Sequence, residues 1–500
     1  MRIAFVDDNL RFSIPLGITS VAASLRQAGH DVRLFIAGGG LRGTVDSLRA
    51  CAPDAVAFSI LTGGHRTAYA IAAAVKRELG LPTVWGGPHP TFFPEMIELP
   101  FVDAVCVGEG EDAAVEFADA FDAAGGRIPE RVANFHVKRG GRVVRNPVRP
   151  RILDLERLPR PARELYYRQS PMLFRHGIKH FMAHRGCPYA CTYCFNHGYN
   201  RLYREQAGDT RIVRSRSPES IVEEILSLRS RVPLRMAAFV DDVFTIDREW
   251  TLRFAEAYAA RCRLPFSINA RFDNLDPDLV AALADAGLCL VYAGVEAGNE
   301  RIRNDVMRRR MTEQTMLEAA DLLRRHKVKL LTENILGNPG ETFEQACETL
   351  EANFRIRPAI ANASVFTPYP RLEMTRYAVE HGWYDGDPQN LDDNYYHSSA
   401  LKFPTGRDRS RILNLRCFFS LLARHPRLTS LLRPLLDARP NAVFRWIGDW
   451  LDGYYLMACL PYRLSIVDFL LTLNHYLSHY RRSARARGDP AAVKSATSAA

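Results

Sequence analysis

Three cysteines stand in one short segment, Arg185-Gly186-Cys187-Pro188-Tyr189-Ala190-Cys191-Thr192-Tyr193-Cys194, with the spacing Cys-x3-Cys-x2-Cys. Three thiolates on a single loop can hold three irons of a 4Fe–4S cube, and the fourth iron is then open to the amine and carboxylate of an amino acid. The competing chemistry is structural zinc, which takes four ligands in a closed tetrahedron and usually draws them from two separated pairs. His184 and His197 flank the segment, and one of them would have to complete such a Cys3His site. The other seven cysteines, Cys51, Cys106, Cys262, Cys289, Cys347, Cys417 and Cys459, are isolated from one another and sit mostly among apolar neighbours, as buried thiols do.

The triad follows an apolar run at 179–184, the first of six strand-like runs continuing at 236–240, 266–270, 289–295, 328–336 and 361–367. Helical patterns at 217–231, 248–261, 276–286, 312–326 and 341–355 separate them. This rhythm predicts a partial (β/α)6 TIM barrel over 176–385, with its chemistry at the C-terminal strand ends. Ahead of it, over 1–125, short buried runs at 3–6, 32–36, 55–60, 83–85 and 104–107 alternate with helical stretches near 17–28, 65–79 and 111–122, the pattern of a doubly wound, Rossmann-like parallel sheet. Ligands bind such sheets at the carboxyl edge. The loops there carry Ser59 and Thr62, Gly86-Gly87-Pro88-His89 and Gly108-Glu109-Gly110-Glu111. No Gly-x-Gly-x-x-Gly follows the first strand, so a dinucleotide fingerprint is absent. Residues 126–175 read as a small hairpin and an extended connector, and 386–500 as a helical region ending in a disordered tail.

The chain has 500 residues, 47% of them hydrophobic and 24% charged, which excludes a disulfide-stapled module and a largely disordered or coiled-coil protein. No apolar run reaches the length of a membrane span, and Met1-Arg2 followed by Asp7-Asp8 does not read as a signal peptide. A cytoplasmic, reducing location is expected, where clustered cysteines mean metal or catalysis before disulfides. The net charge is +10, and residues 401–487, with 15 Lys and Arg against 5 Asp, account for all of it. A nucleic-acid footprint through the body of the chain is not indicated.

Cys187, Cys191 and Cys194 after a first barrel strand, with Tyr193 as the aromatic before the last cysteine, resemble the signature of the radical S-adenosylmethionine (radical SAM) enzymes. The resemblance covers roughly residues 1–380. Phe239-Val240-Asp241-Asp242, Asn269-Ala270-Arg271-Phe272-Asp273, Gly294-Val295-Glu296-Ala297-Gly298 and Leu336-Gly337-Asn338-Pro339-Gly340-Glu341-Thr342, each at a strand end, are similar to the cobalamin-binding class of that superfamily. So are Pro15-Leu16-Gly17, Gly86-Gly87-Pro88-His89 and Gly108-Glu109-Gly110-Glu111 in the N-terminal domain.

The resemblance implies an enzyme with a 4Fe–4S cluster, S-adenosylmethionine (SAM) and cobalamin. Cluster ligands would be Cys187, Cys191 and Cys194. Tyr193, Asp241 or Asp242, Arg271 and Glu296 would surround SAM: an aspartate on the methionyl ammonium, Arg271 on the carboxylate, Glu296 on the ribose. Ser59, Thr62, Gly86, Gly87, Gly108 and Gly110 would line a corrin, with Glu109 as a hydrogen-bond anchor. No histidine here has Asp two positions before it, so the Asp-x-His-x-x-Gly cobalt motif is missing and the cobalamin would be base-off without a histidine ligand. The alternative is a degenerate sheet that binds no corrinoid. The expected reaction is C-methylation of an unactivated carbon of a small molecule: SAM cleavage yields a 5′-deoxyadenosyl radical, and a methyl group from a second SAM arrives by way of cobalamin. Alternatives are a non-methylating ring closure on a tetrapyrrole-like substrate and a non-enzymatic metal- or corrinoid-binding protein. A one-electron donor such as flavodoxin or ferredoxin is implied.

One loop departs from the family. Pro368-Tyr369-Pro370-Arg371-Leu372-Glu373 stands where the class runs Pro-Tyr-Pro-Gly-Thr-Pro, which leaves that loop's shape open. The basic C-terminal fifth also holds many large apolar residues, among them Phe418, Phe419, Leu431, Leu435, Trp446, Trp450, Tyr454 and Phe469 to Leu473. It reads as a helical cap over the barrel mouth or as a peripheral contact with an anionic membrane.

Overall fold

The computed structural model describes residues 1–7, 13–37, 40–62, 64–387, 391 and 396–462. Phe469 to Leu473 and the expected disordered tail lie outside them. Contacts divide the described chain into two compact units, Met1–His176 with Tyr199–Arg211, and Gly177–Gly198 with the described part of Ile212–Leu464.

In the first unit, β1 (Arg2–Asp7), β2 (Asp31–Ile36), β3 (Ala55–Ser59), β4 (Thr83–Gly86) and β5 (Ala104–Cys106) form a parallel sheet. Strands β1, β3 and β5 are buried along almost their whole length, which explains their short apolar runs without alternation, whereas β2 and β4 alternate. The helices between the strands are α1 (Leu16–Gln27), α2 (Gly40–Cys51), α3 (His65–Leu79), the short α4 (Pro88–Phe92) and α5 (Glu111–Ala123). The sheet order β2-β1-β3-β4-β5-β6-β7 reverses beside β1. The hairpin expected as part of a linker belongs instead to this sheet. Strand β6 (Phe135–Arg139) pairs antiparallel with β5, and β7 (Arg142–Arg145) pairs with β6, so the sheet is mixed and seven-stranded. The connector also carries two short helices, α6 (Glu164–Gln169) and α7 (Pro171–Arg175).

The second unit begins with β8 (Ile178–Phe181) and a two-residue strand β9 (His184–Arg185), which pairs with β10 (Arg214–Ser215); between them α8 (Phe195–Ala207) starts. Then β11 (Met236–Phe239), β12 (Phe266–Ala270), β13 (Leu288–Glu296), β14 (Lys329–Leu336) and β15 (Ile360–Val365) follow in order, all parallel, as β15-β14-β13-β12-β11-β8. The intervening helices are α9 (Pro218–Arg229), α10 (Arg248–Arg261), α11 (Pro277–Ala286), α12 (Glu313–Arg325) and α13 (Phe343–Ile356). Each of the five starts the same way: Ser217, Asp247, Asp276, Thr312 and Thr342 accept a hydrogen bond from the backbone N–H three residues on. Such a cap contributes about 1 kcal/mol and fixes where the strand-to-helix loop ends.

An open barrel has two bare edges. The last strand is covered by the C-terminal helices, α15 (Gly406–Arg424), α16 (Leu428–Leu436) and α17 (Ala442–Cys459), which follow α14 (Glu373–Glu380). Along α15, Arg416 Nε, Ser420 Oγ and Arg424 Nη1 donate to the carbonyls of Ala363, Ala361 and Ala359 at 3.3, 2.8 and 3.2 Å. The spacing matches because four helical residues rise about 6 Å and two strand residues about 6.6 Å. The expected cap over the mouth is therefore, in α15, a helix laid along the sheet edge, packed on α13 and β15 through Ile412, Leu415, Phe419 and Leu422.

Candidate functional site: the cysteine loop and the sheet edge

The cysteine loop leaves β9 through Gly186, whose φ is +93° and whose Cβ, were there one, would lie 2.2 Å from the Ile212 carbonyl oxygen. Only glycine makes that turn. The loop is then pinned by Thr192: its N–H donates to the Met307 carbonyl, its hydroxyl to that of Val306 at 2.6 Å, and its carbonyl accepts from Met374 N. All ten cysteines are thiols, and Cys187 and Cys191 are buried. Burial pushes the Cys187 thiol up to about 11 and the Cys194 thiol to about 12. Asn196 Nδ2 reaches Cys194 Sγ at 3.7 Å.

The zinc reading does not match this geometry. Among the described residues no three His, Cys, Asp or Glu side chains converge as ligands of one ion. His184 is engaged elsewhere, with Nδ1 on Ser215 Oγ at 2.7 Å and its ring edge-on to Trp250, and His197 Nε2 bonds Glu373 at 2.9 Å.

The strand-end residues expected around SAM fall in this same unit. Tyr193 donates its phenol to Glu296 Oε1 at 2.9 Å, and Glu296, held at φ +67°, has Arg309 Nη1 3.9 Å away. Arg309 also donates to the Gly294 carbonyl at 2.7 Å. Arg271 forks onto Asp273 at 2.9 and 2.8 Å, and its guanidinium stacks 3.8 Å over the Tyr189 ring. Of the two aspartates, Asp241 is fully buried. Its Oδ1 accepts from the backbone N–H of Ala183 and His184, and burial raises it to about 7. Asp242 is the exposed one, hydrogen-bonded by Asn196, with its charge acting on Cys187 and Cys194. Among the buried polar atoms here without a partner are Asp241 Oδ2, Arg271 Nη1, Arg309 Nε and His184 Nε2. A carboxylate oxygen and two guanidinium donors left unsatisfied beside the cysteine loop fit a ligand carrying ammonium and carboxylate groups. Arg309, Tyr189 and Asn196 were not expected from the sequence. Arg308-Arg309-Arg310 looks like a solvated charge run, and its meaning comes only from a fold that buries the middle arginine.

In the first unit, Ser59, Thr62, Gly86, Gly87, Gly108, Glu109 and Gly110 lie at or just beyond the carboxyl ends of β3, β4 and β5. A Cβ on Gly87 (φ +94°) would lie 3.0 Å from Ile60 O and Ser59 Oγ, and one on Gly108 (φ +89°) 2.5 Å from the Tyr203 hydroxyl. These glycines answer to the domain's own backbone. Gly86 differs: its nearest neighbour would be Cys106 Cβ at 3.9 Å. Glu109 accepts from Ile152 N at 2.9 Å. His89 is buried, stacked on His65, with Thr62 Oγ1 and Tyr69 Oη each 3.1 Å from a ring nitrogen; burial drives it down to about 3, so it stays neutral. With both nitrogens engaged it is no cobalt ligand, and of Gly86, Gly87 and Gly108 it is Gly86 that leaves room where a side chain would stand. Because a side chain fits at Gly86 without backbone strain, Gly86→Leu is expected to leave the domain folded and weaken hydroxocobalamin binding about tenfold or more in equilibrium dialysis.

Residues 182–352 match the model of the radical SAM superfamily, and residues 11–118 that of the B12 binding domain. The protein is thus a radical SAM enzyme. It belongs, more narrowly, to the class that joins this barrel to a cobalamin-binding domain, and its cofactors are a 4Fe–4S cluster, SAM and cobalamin. It is 27% identical over 383 residues to an uncharacterized methyltransferase of Pyrococcus horikoshii, covering 73% of this chain and 78% of that protein. It is 27% identical to the anaerobic magnesium-protoporphyrin IX monomethyl ester cyclase of Rubrivivax gelatinosus, over 73% of this chain and 66% of that one. The hopanoid C-3 methylase of Methylococcus capsulatus is also 27% identical, over 72% and 67%. In fold it resembles the radical SAM methyltransferase TsrM from Kitasatospora setae with cobalamin and cluster bound, with a TM-score of 0.62, 19% identity, and 76% and 78% coverage. Among the described residues no helix is long and apolar enough to cross a membrane.

Proposed function

We propose that the enzyme is a C-methyltransferase acting on an unactivated carbon of a small, hydrophobic molecule. The observation that carries the reading is the pairing of the cysteine loop with a cobalamin domain whose edge offers no histidine to cobalt, as methylating members of the class commonly lack one. When bound, the three cofactors together supply a carbon-centred radical and a methyl donor. The chain's part is placement. Cys187, Cys191 and Cys194 would hold the cluster; Arg271, stiffened by Asp273 and stacked on Tyr189, would orient a carboxylate; Asp242 would take the ammonium; Glu296, fixed by Tyr193 and Arg309, would take ribose hydroxyls. A low-potential one-electron donor such as flavodoxin or ferredoxin would serve the cluster. The runner-up is ring closure on a tetrapyrrole-like substrate, favoured by the cyclase relatives. A measurement that needs no substrate separates the two: reduced holoenzyme incubated with SAM should release S-adenosylhomocysteine. Release of 5′-deoxyadenosine alone would overturn methylation.

A membrane contact is part of this reading. Val443, Trp446, Trp450 and Tyr454 recur at three- and four-residue intervals on α17, and the last three are 49, 51 and 51% exposed. Exposed Arg424, Arg427, Arg433 and Arg439 lie in the same helical region, whereas Asp437 pairs with Arg411 and Asp449 and Asp452 pair with Arg416. Exposed aromatic rings and exposed arginines in one helical region match an anionic bilayer, each arginine contributing about 1 kcal/mol near the surface. The full chain should float with phosphatidylglycerol vesicles at low salt and not with phosphatidylcholine. Trp446→Ala/Trp450→Ala should abolish flotation.

A further inference from the structure

Strand β14 breaks its apolar pattern at Glu333. Thr332 and Asn334 turn toward α13, where both bond Asn353 at 2.6 and 2.8 Å, so the alternation of the strand puts Glu333 on the opposite, concave face of the sheet. Its in-register neighbours are Gly294 on β13 and Asn362 on β15, and Ser364 lies two residues further along the same face. Glu333, Asn362 and Ser364 are partly exposed, while Thr332, Asn334, Ala361, Ala363 and Val365 are buried. The concave face is open at these three side chains.

Asn362 Nδ2 donates one hydrogen to Glu333 Oε2 at 2.9 Å, and Ser364 Oγ donates its hydrogen to the Asn334 carbonyl at 3.3 Å. Beside the second N–H of Asn362, what the three groups have left to offer is mostly acceptors: the Glu333 carboxylate, Asn362 Oδ1 and the Ser364 lone pairs. The charges acting on Glu333 are Glu296 and Asp452, both negative; burial, helped by them and opposed by Asn362, lifts its carboxyl to about 7. A carboxylate placed this way costs stability that an apolar residue would not, and a cation would relieve it.

We infer that Glu333, Asn362 and Ser364 form a substrate subsite on the concave face of the barrel that takes a protonated primary amine, or another cation with several N–H donors. The ligand's identity as the substrate rests on the proposed reaction; the acceptor site rests on the geometry alone. On the other side of Glu333 stands Gly294, where the Glu296 carboxylate fills the place a side chain would take, so the subsite borders the Glu296–Arg309 pair.

Benzylamine and benzyl alcohol are the probes, titrated calorimetrically into cluster-loaded protein. Benzylamine should bind at least about tenfold more tightly than the alcohol, and Glu333→Gln should remove that preference. Amine binding should strengthen as pH rises through 7 and Glu333 ionises. An intact cluster spectrum and a cooperative melt show the variant to be folded; Asn362→Ala, which keeps the carboxylate and loses one acceptor, should lose part of the preference. Equal binding of the two probes, no binding, or an amine preference retained by Glu333→Gln would overturn the subsite. So would a Glu333→Gln protein whose defect lies only in SAM affinity, since the amine would then be that of SAM. If the amine binds through Glu333 but the protein never cleaves SAM, the subsite stands and the radical reading falls. Cleavage without amine binding gives the reverse.

Discussion

Replacing Cys187, Cys191 or Cys194 by alanine is expected to abolish 5′-deoxyadenosine formation and to leave the purified protein short of iron. A cube left with two thiolates is poorly retained and exposed to oxygen, and each flanking histidine is already engaged through one ring nitrogen, His184 with Ser215 and His197 with Glu373. The loss should not be a folding defect. The loop is fixed by Thr192 through the backbone of Val306, Met307 and Met374, and none of those bonds involves a cysteine side chain. Alanine at Cys51 or Cys289, neither of them fully buried, should leave the iron count at four and cleavage intact. Iron and sulfide assays on anaerobically reconstituted protein decide the matter; four irons and full cleavage in Cys191→Ala would show the triad assignment to be wrong.

The strands were legible because a sheet covered on both faces writes itself as short apolar runs, and β12 and α10 fall on the residues the pattern marks. Helix α2 was not. Gly40 and Gly43 depress its helix propensity, and it is stabilised by packing Val45 and Leu48 inward. The hairpin was visible as a hairpin, but its pairing with β5 joins residues 29 to 33 positions apart, which local sequence does not encode. The cysteine triad stood out in the sequence because its spacing is itself the chemical signal. Arg309, Tyr189 and Asn196 acquire roles only from the partners that the fold brings to them. Glu109, expected to anchor a ligand, bonds Ile152 N, and the strain at Gly87 and Gly108 is accounted for by protein atoms before any ligand is considered. Conversely, Glu333 was overlooked as one charge in a strand, although a charge that breaks a buried pattern is where a local rule gives way to function.

Arg416→Ala is expected to cost about 3–5 kcal/mol, the range for removing one partner of a buried ion pair. Arg416 is buried, with Nη1 and Nη2 on Asp449 and Asp452 of α17 at 3.2 and 3.0 Å, Nε on the edge carbonyl of Ala363, and its guanidinium 4.8 Å from the Tyr396 ring. Its loss takes the cationic partner from two carboxylates at once, leaving Asp449 with His397 and Asp452 with the Ser420 hydroxyl, and unties α17 from the strand edge that α15 covers. In a melt followed by near-ultraviolet circular dichroism, the transition carrying the barrel should fall by about 10 °C. The gap should narrow as pH falls. In the wild type, burial works to raise Asp449, but His397 and Arg416 outweigh it and hold the carboxyl below its usual range, so the stability it contributes is lost as acid protonates it. In the variant, the stranded carboxylates are relieved by the same protonation. Replacing Arg416 by Met together with Asp449→Asn and Asp452→Asn removes the charges without stranding any, and should recover more than half of the loss. A triple variant as unstable as Arg416→Ala would mean that the hydrogen bond to Ala363, and not the buried charge, is what holds the helix to the edge.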